Sequence, residues 1–221
     1  MRPGTYTLYA WQTQGRVTQS FAKDGVEIKG DTLDLGAIEW DAPYHPHLLF
    51  QIGLADRMAD EFKFGSLPRT NQWMKQVPAN LTFTVGQSKP EEDWYYAQFG
   101  GTWKIKFNVE RVPEGQAYLT IAIAGGPGNL SVLVNDHEVG KIAKGDDASV
   151  RRAANRSGVY ARFEFEFAAS LLKAGENLVS LQMAGRGESR AAATEDEPTG
   201  QQPGSAANNG LMYDTIVLET N

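Results

Sequence analysis

Apolar and polar residues alternate with a period of two along most of the chain. Trp103, Ile105, Phe107 and Val109 fall on one side of an extended segment, with Lys104, Lys106 and Asn108 on the other. That is the pattern of a strand with one face in a core and one in water. Phe163, Phe165 and Phe167 alternate in the same way with Arg162, Glu164 and Glu166, so the inward face of that strand is expected to be entirely Phe. Residues 119–123 and 130–134 are two further strands separated by a Gly- and Pro-rich stretch over 124–129, and Asn135, Asp136, His137 and Glu138 supply turn residues before Val139. Two successive hairpins follow from this. More short apolar segments stand at 81–85, 178–183 and 212–218. Helical spacing is confined to 55–64, through Met58, Ala59 and Phe62, and to 168–174, with Gly175 as its C-cap. Many short strands and little helix predict an all-β chain, an antiparallel β-sandwich of the jelly-roll kind.

The front of the chain reads as a separate piece. Residues 1–43 contain strands at 3–11, 26–28 and 33–38, residues 44–47 form a linker, and the jelly roll occupies 48–221. Three strands in roughly 40 residues bury too little apolar surface to offset chain entropy, so the front unit is expected to lean on another domain or to be the end of a larger sandwich. The stretch 185–210, rich in Gly, Ala, Pro, Gln and Glu, is expected to be a mobile loop.

Composition narrows the functional classes. With 41% hydrophobic and 22% charged residues among 221, wholesale disorder and a coiled coil are excluded. No apolar run approaches the roughly 18–20 residues that span a bilayer, and the start lacks the apolar stretch of a signal peptide. The absence of Cys removes disulfides, thiolate metal sites and Cys nucleophiles. A net charge of −6 without a dense basic stripe argues against nucleic acid as a partner.

Four segments carry a family resemblance: Leu49-Phe50-Gln51-Ile52-Gly53-Leu54-Ala55-Asp56-Arg57-Met58-Ala59-Asp60-Glu61-Phe62, Thr82-Phe83-Thr84-Val85-Gly86-Gln87-Ser88, Asp93-Trp94-Tyr95-Tyr96-Ala97-Gln98 and Met212-Tyr213-Asp214-Thr215-Ile216-Val217-Leu218-Glu219. In this order and spacing they resemble the C-terminal domain of rhamnogalacturonan lyases of polysaccharide lyase family four. The front piece, with Arg2-Pro3-Gly4-Thr5-Tyr6-Thr7-Leu8-Tyr9-Ala10-Trp11 and Asp34-Leu35-Gly36, looks like the end of that family's fibronectin type III-like middle domain. The resemblance implies a jelly roll similar to carbohydrate-binding modules, placed behind a catalytic sandwich whose Lys and His have no counterparts here. It further implies a non-catalytic role in contact with plant cell-wall rhamnogalacturonan or related pectin, outside the cytoplasm. A catalytic domain or a second copy is a further expected partner. Two other readings stay open: an enzyme with its own site on the sandwich, and a structural domain that docks a separate catalytic subunit.

Sugar recognition needs aromatic faces for C–H patches and planar polar groups for hydroxyls. Trp94, Tyr95 and Tyr96 stand in one run, and alternation lets Trp94 and Tyr96, or Tyr95 alone, face a ligand. Trp94 and Tyr96 are the expected contacts, against a competing reading of Trp94 as core. Trp73 is a second expected platform in a less regular stretch. Arg151, Arg152 and Arg156 form the densest basic group and would hold uronate carboxylates bidentately. Asp214 is polar on an apolar strand face and must be paired or metal-bound. By similarity to jelly-roll modules it is the expected ligand of a structural Ca²⁺, with an Arg57 ion pair as the competing reading. His45-Pro46-His47 is read as a linker feature, and no Ser-His-Asp order, phosphate loop or HExxH spacing appears.

Overall fold

The computed structural model describes residues 2–14, 17–30, 32–40, 45–56, 59–67, 74–125, 128–144, 161–183 and 210–221. The chain divides into two compact units, Met1–Tyr44 and His45–Asn221. In the first, β1 (Gly4–Gln14) and β2 (Val17–Ile28) form an antiparallel pair with a register shift between Tyr6 and Leu8. The strand expected at 33–38 does not form. Asp34 Oδ1 instead accepts a hydrogen bond from the Gly36 N–H at 2.8 Å, and Gly36 has a φ of 63°. An Asx turn of this kind competes directly with the extended ladder.

The second unit is a β-sandwich. Its strands are β3 (His47–Gly53), β4 (Leu81–Thr84), β5 (Ala97–Gln98), β6 (Gly101–Val109), β7 (Gln116–Gly125), β8 (Gly128–Val134), β9 (His137–Lys144), β10 (Ala161–Ala168), β11 (Gly175–Met183) and β12 (Leu211–Thr220). One sheet runs β10-β7-β12-β3, with β5 paired to β12; the other runs β4-β6-β11-β8-β9. Period-two alternation sends Trp103, Ile105, Phe107, Val179, Leu181, Leu130, Val132 and Val134 of the second sheet inward to meet Leu119, Ile121, Ile216, Leu218, Phe50 and Ile52 of the first. These side chains are at most 3% exposed. At roughly 1.5–3 kcal/mol for each large apolar side chain, this shared layer dominates the unit's stability.

β10 is an edge strand, and its Phe row is only partly covered: Phe167 is buried while Phe163 and Phe165 are half-buried. Phe165 lies over the backbone of Gly140 in β9, where an added Cβ would come within 2.1 Å of the ring. The two edge strands of opposite sheets thus close on one another only because position 140 lacks a side chain.

Four local features differ from the expectations. β4 pairs with β6 in parallel, because the intervening chain crosses to the other sheet at β5 before returning. The described residues of 55–64 form no helix: Phe62 N–H bonds to Ala59 O and Gly65 N–H to Phe62 O, a succession of tight turns. Ala59 and Phe62 are buried as their spacing suggests, yet they arrive there through turns. Near 168–174 only a 3₁₀ turn forms, Ala169–Leu171. A single-turn helix, α1 (Pro90–Asp93), occupies a stretch with no helical period. Pro90 at its start has no N–H to leave unsatisfied.

Candidate functional site

The structure corrects the expected aromatic contacts. Trp94 and Tyr96 are both 0% exposed. Trp94 follows α1, its N–H bonded to Pro90 O, and its ring packs edge-on against Phe83, Trp103 and Tyr213 at centroid distances of 5.9, 5.0 and 5.5 Å. Neither ring has a face to offer a sugar, because both fill the end of the core. Trp73 and the Arg151, Arg152 and Arg156 group lie outside the described residues, as do Arg57 and the stretch 185–209.

Asp214 is buried beside register shifts that follow Met212 and Tyr213 in β12. Among the described residues no three His, Asp or Glu side chains group in a way that would hold a metal ion.

The middle residue of the aromatic run takes the other orientation. Lys63 N–H bonds to Trp94 O at 2.9 Å and Tyr96 N–H to Lys63 O at 3.3 Å, an isolated parallel bridge that leaves Tyr95 half-buried at the surface. Lys63 Nζ stands 5.0 Å from the centre of the Tyr95 ring, a cation–π contact. Phe64 meets the same ring edge-on at 5.4 Å. Phe64 has a φ of 67°, a costly backbone state for a bulky side chain. The turn around it packs tightly: any Cβ at Gly65 would fall 1.6 Å from Ala59 O, and Leu67 N–H bonds to Phe64 O. Lys63, Phe64 and Tyr95 therefore form a fixed corner of one cation and two partly exposed rings. Alternation allows Tyr95 outward, but nothing local chooses between it and its neighbours, and Phe64 is hidden by the helical spacing of 55–64.

A second polar group lies on the outward side of the first sheet. Arg162 donates through an Nη to Glu164 Oε2 and, at 3.2 Å, to Thr120 Oγ1. His45, whose side chain is 10% exposed, stacks on Tyr118 at 3.6 Å and 14°, with Nε2 3.9 Å from Glu164 Oε2. Neither ring nitrogen of His45 has a hydrogen bond, and both are shut off from solvent. Burial raises the Glu219 carboxyl above its ordinary range, an effect that Arg162 opposes. An imidazole, a guanidinium and a carboxylate do converge here, but the imidazole lies flat on Tyr118 with both ring nitrogens shut off from solvent, which suits packing rather than attack on a substrate.

Residues 48–218 match the family described as CBM-like, polysaccharide lyase family 4, domain III. A rhamnogalacturonate lyase of Dickeya dadantii is 38% identical over 194 residues, covering 83% of this chain and 33% of that protein. A probable rhamnogalacturonate lyase B of Neosartorya fischeri is 24% identical over 219 residues, covering 74% of this chain and 33% of its own. The chain thus spans about a third of the length of these curated relatives. Among solved structures, a family 35 carbohydrate binding module from an environmental isolate overlaps 56% of this chain and 68% of its own, at 15% identity and a TM-score of 0.33. A GH115 4-O-methyl-α-glucuronidase overlaps 90% of this chain and 20% of its own, at 11% identity and a TM-score of 0.39. The family assignment does not rest on either structure.

Proposed function

The chain belongs to the carbohydrate-binding-module-like domain III family of polysaccharide lyase family 4, and from that membership we propose that it is a non-catalytic, carbohydrate-contacting module that meets rhamnogalacturonan-type pectic polysaccharide outside the cytoplasm. The observation that supports this reading is the Lys63, Phe64 and Tyr95 corner. Its two rings offer apolar surface to the C–H face of a sugar, and its ammonium suits the carboxylate of a neighbouring uronate. The strained Phe64 backbone holds the corner ready, so little ordering is needed when a ligand arrives. Elimination chemistry needs a base and a cation within reach of a sugar acid. The converging groups around His45 do not offer that reach.

Such a small contact gives weak binding, with Kd on the order of 0.1–1 mM. Titration calorimetry of the full chain against rhamnogalacturonan and polygalacturonate tests it. Tyr95→Ala is expected to weaken binding about fivefold to tenfold and Lys63→Gln about threefold. Absence of heat with both polymers in the wild-type chain refutes the binding role. Release of unsaturated uronate by the chain alone, read in the near ultraviolet, refutes the non-catalytic one.

A further inference from the structure

The outward face of the β4-β6-β11-β8-β9 sheet is mostly polar and exposed, with Leu133 and Leu178 part-buried and Ser180 buried at its middle. Register aligns Thr82, Lys104, Ser180, Leu133 and Glu138 in one row across five strands, with Glu138 three strands from Lys104, and Thr102, Gln182, Ser131 and Lys141 in the next. Lys106 stands one pleat further along β6, beside Thr84 and Leu178. Thr82, Lys104, Lys141 and Gln182 are exposed. Lys106 is paired with Glu176 at 3.6 Å and Lys141 with Glu138 at 3.1 Å, but Lys104 has no acidic partner among the described residues. The first sheet presents the opposite charge on its outward side, with Glu164, Glu166 and Glu219 against Arg162.

From this charge complementarity we infer that the open sheet face is a second contact surface, on which an acidic polysaccharide chain lies across the strands with a carboxylate at Lys104. With strands about 4.8 Å apart and alternate residues about 7 Å apart, Lys104 is about 7 Å from Lys106 along β6 and, three strands across and one pleat along, about 16 Å from Lys141. An extended polymer that crosses the strands obliquely from Lys104 reaches Lys141, while Thr82, Thr102, Ser131 and Gln182 offer hydroxyl and amide partners to its sugar hydroxyls. The described residues of this face include no aromatic ring, so its contribution comes from charge and exposed hydrogen bonds and is screened by salt. In this it differs from the Tyr95 corner, whose ring contacts persist at high salt. The ligand class is shared with the proposed function; the surface is separate.

Retention of the full chain on immobilised polygalacturonate, at about 20 mM and about 200 mM salt, tests the inference. Lys104→Glu is expected to lower retention about fivefold to tenfold at low salt and to flatten its salt dependence. Lys75→Glu, the same charge change at an exposed position in the Met74–Gln76 turn, is expected to lower it less than about twofold. Thermal unfolding of both variants confirms that each is folded. Equal losses in the two variants mean that only net charge matters, and no loss in either means that the face is idle; both outcomes overturn the inference while leaving the proposed function standing. Wild-type retention on a DNA column equal to that on polygalacturonate also overturns it. No retention or heat for the wild-type chain on any pectic polymer removes the functional reading and this one together.

Discussion

The two sheets of the sandwich obey one alternation inward and part company outward. On β10-β7-β12-β3 the outward row Thr120, Ala122, Thr215, Val217 and Glu219 is at most 7% exposed. On β4-β6-β11-β8-β9 the outward residues Thr82, Lys104, Lys141 and Gln182 stand in water, and of the described outward residues only Ser180, in the middle of the sheet, is buried, at 3% exposed. A period of two assigns a side chain to a face and does not say what that face will meet. On the closed face Glu219 is held toward its protonated form, Arg162 is divided between Glu164 and Thr120, and His45 stacks without a hydrogen bond. The open face has two ion pairs at ordinary surface geometry and one lysine with no acidic partner among the described residues.

The sharpest way to break this contrast is to place a charge on each face. Val217→Lys buries an ammonium where the native side chain is 0% exposed, and a loss of about 4–5 kcal/mol is expected in denaturant unfolding. Thr82→Lys on the open face is expected to stay within about 0.5 kcal/mol of wild type. Similar losses at the two positions would show that the faces do not differ.

The same logic applies within the aromatic run. Trp94→Ala removes a fully buried ring from the core and is expected to cost about 3–4 kcal/mol, against about 1 kcal/mol for the half-buried Tyr95→Ala. If Tyr95→Ala proves the costlier of the two, the assignment of core and surface in this run is wrong.

The smallest effect refines the closed face. Because burial raises the Glu219 carboxyl, the folded chain keeps this proton to higher pH than the unfolded chain does, so this residue's contribution to stability falls as pH rises from about 4.5 through the folded value. Glu219→Gln is expected to match wild type below that window and to melt about 1 °C higher above it, a modest gain because Arg162 offsets part of the desolvation penalty. A melting difference that is constant with pH would assign the effect to packing.

Several elements were legible from residue order. The 103–109 alternation became β6 with Trp103, Ile105 and Phe107 in the core, and the turn residues Asn135 and Asp136 sit at φ of 47° and 67° between β8 and β9. The failures have local chemical causes. At 33–38 the pattern is strand-like, but the Asp34 carboxylate captures a nearby N–H. At 55–64 the apolar spacing is helical, but Gly65 and a left-handed Phe64 require turns. In the aromatic run the alternation was right and the choice of face was not, because Trp94 is drawn inward by Phe83, Trp103 and Tyr213, which are distant in sequence.

Residue order alone determined which side of most strands is apolar, that these strands build a sandwich, and the family to which the chain belongs, since alternation and motif spacing are properties of neighbours along the chain. Only the tertiary structure decided which outward face is closed, that Tyr95 rather than Trp94 reaches the surface under Lys63, and that Lys104 has no acidic partner among the described residues. Each of those outcomes depends on a partner brought in from elsewhere in the chain, Lys63 for Tyr95 and Thr82 and Ser180 for Lys104, and contacts of that kind arise from sheet register rather than from local sequence.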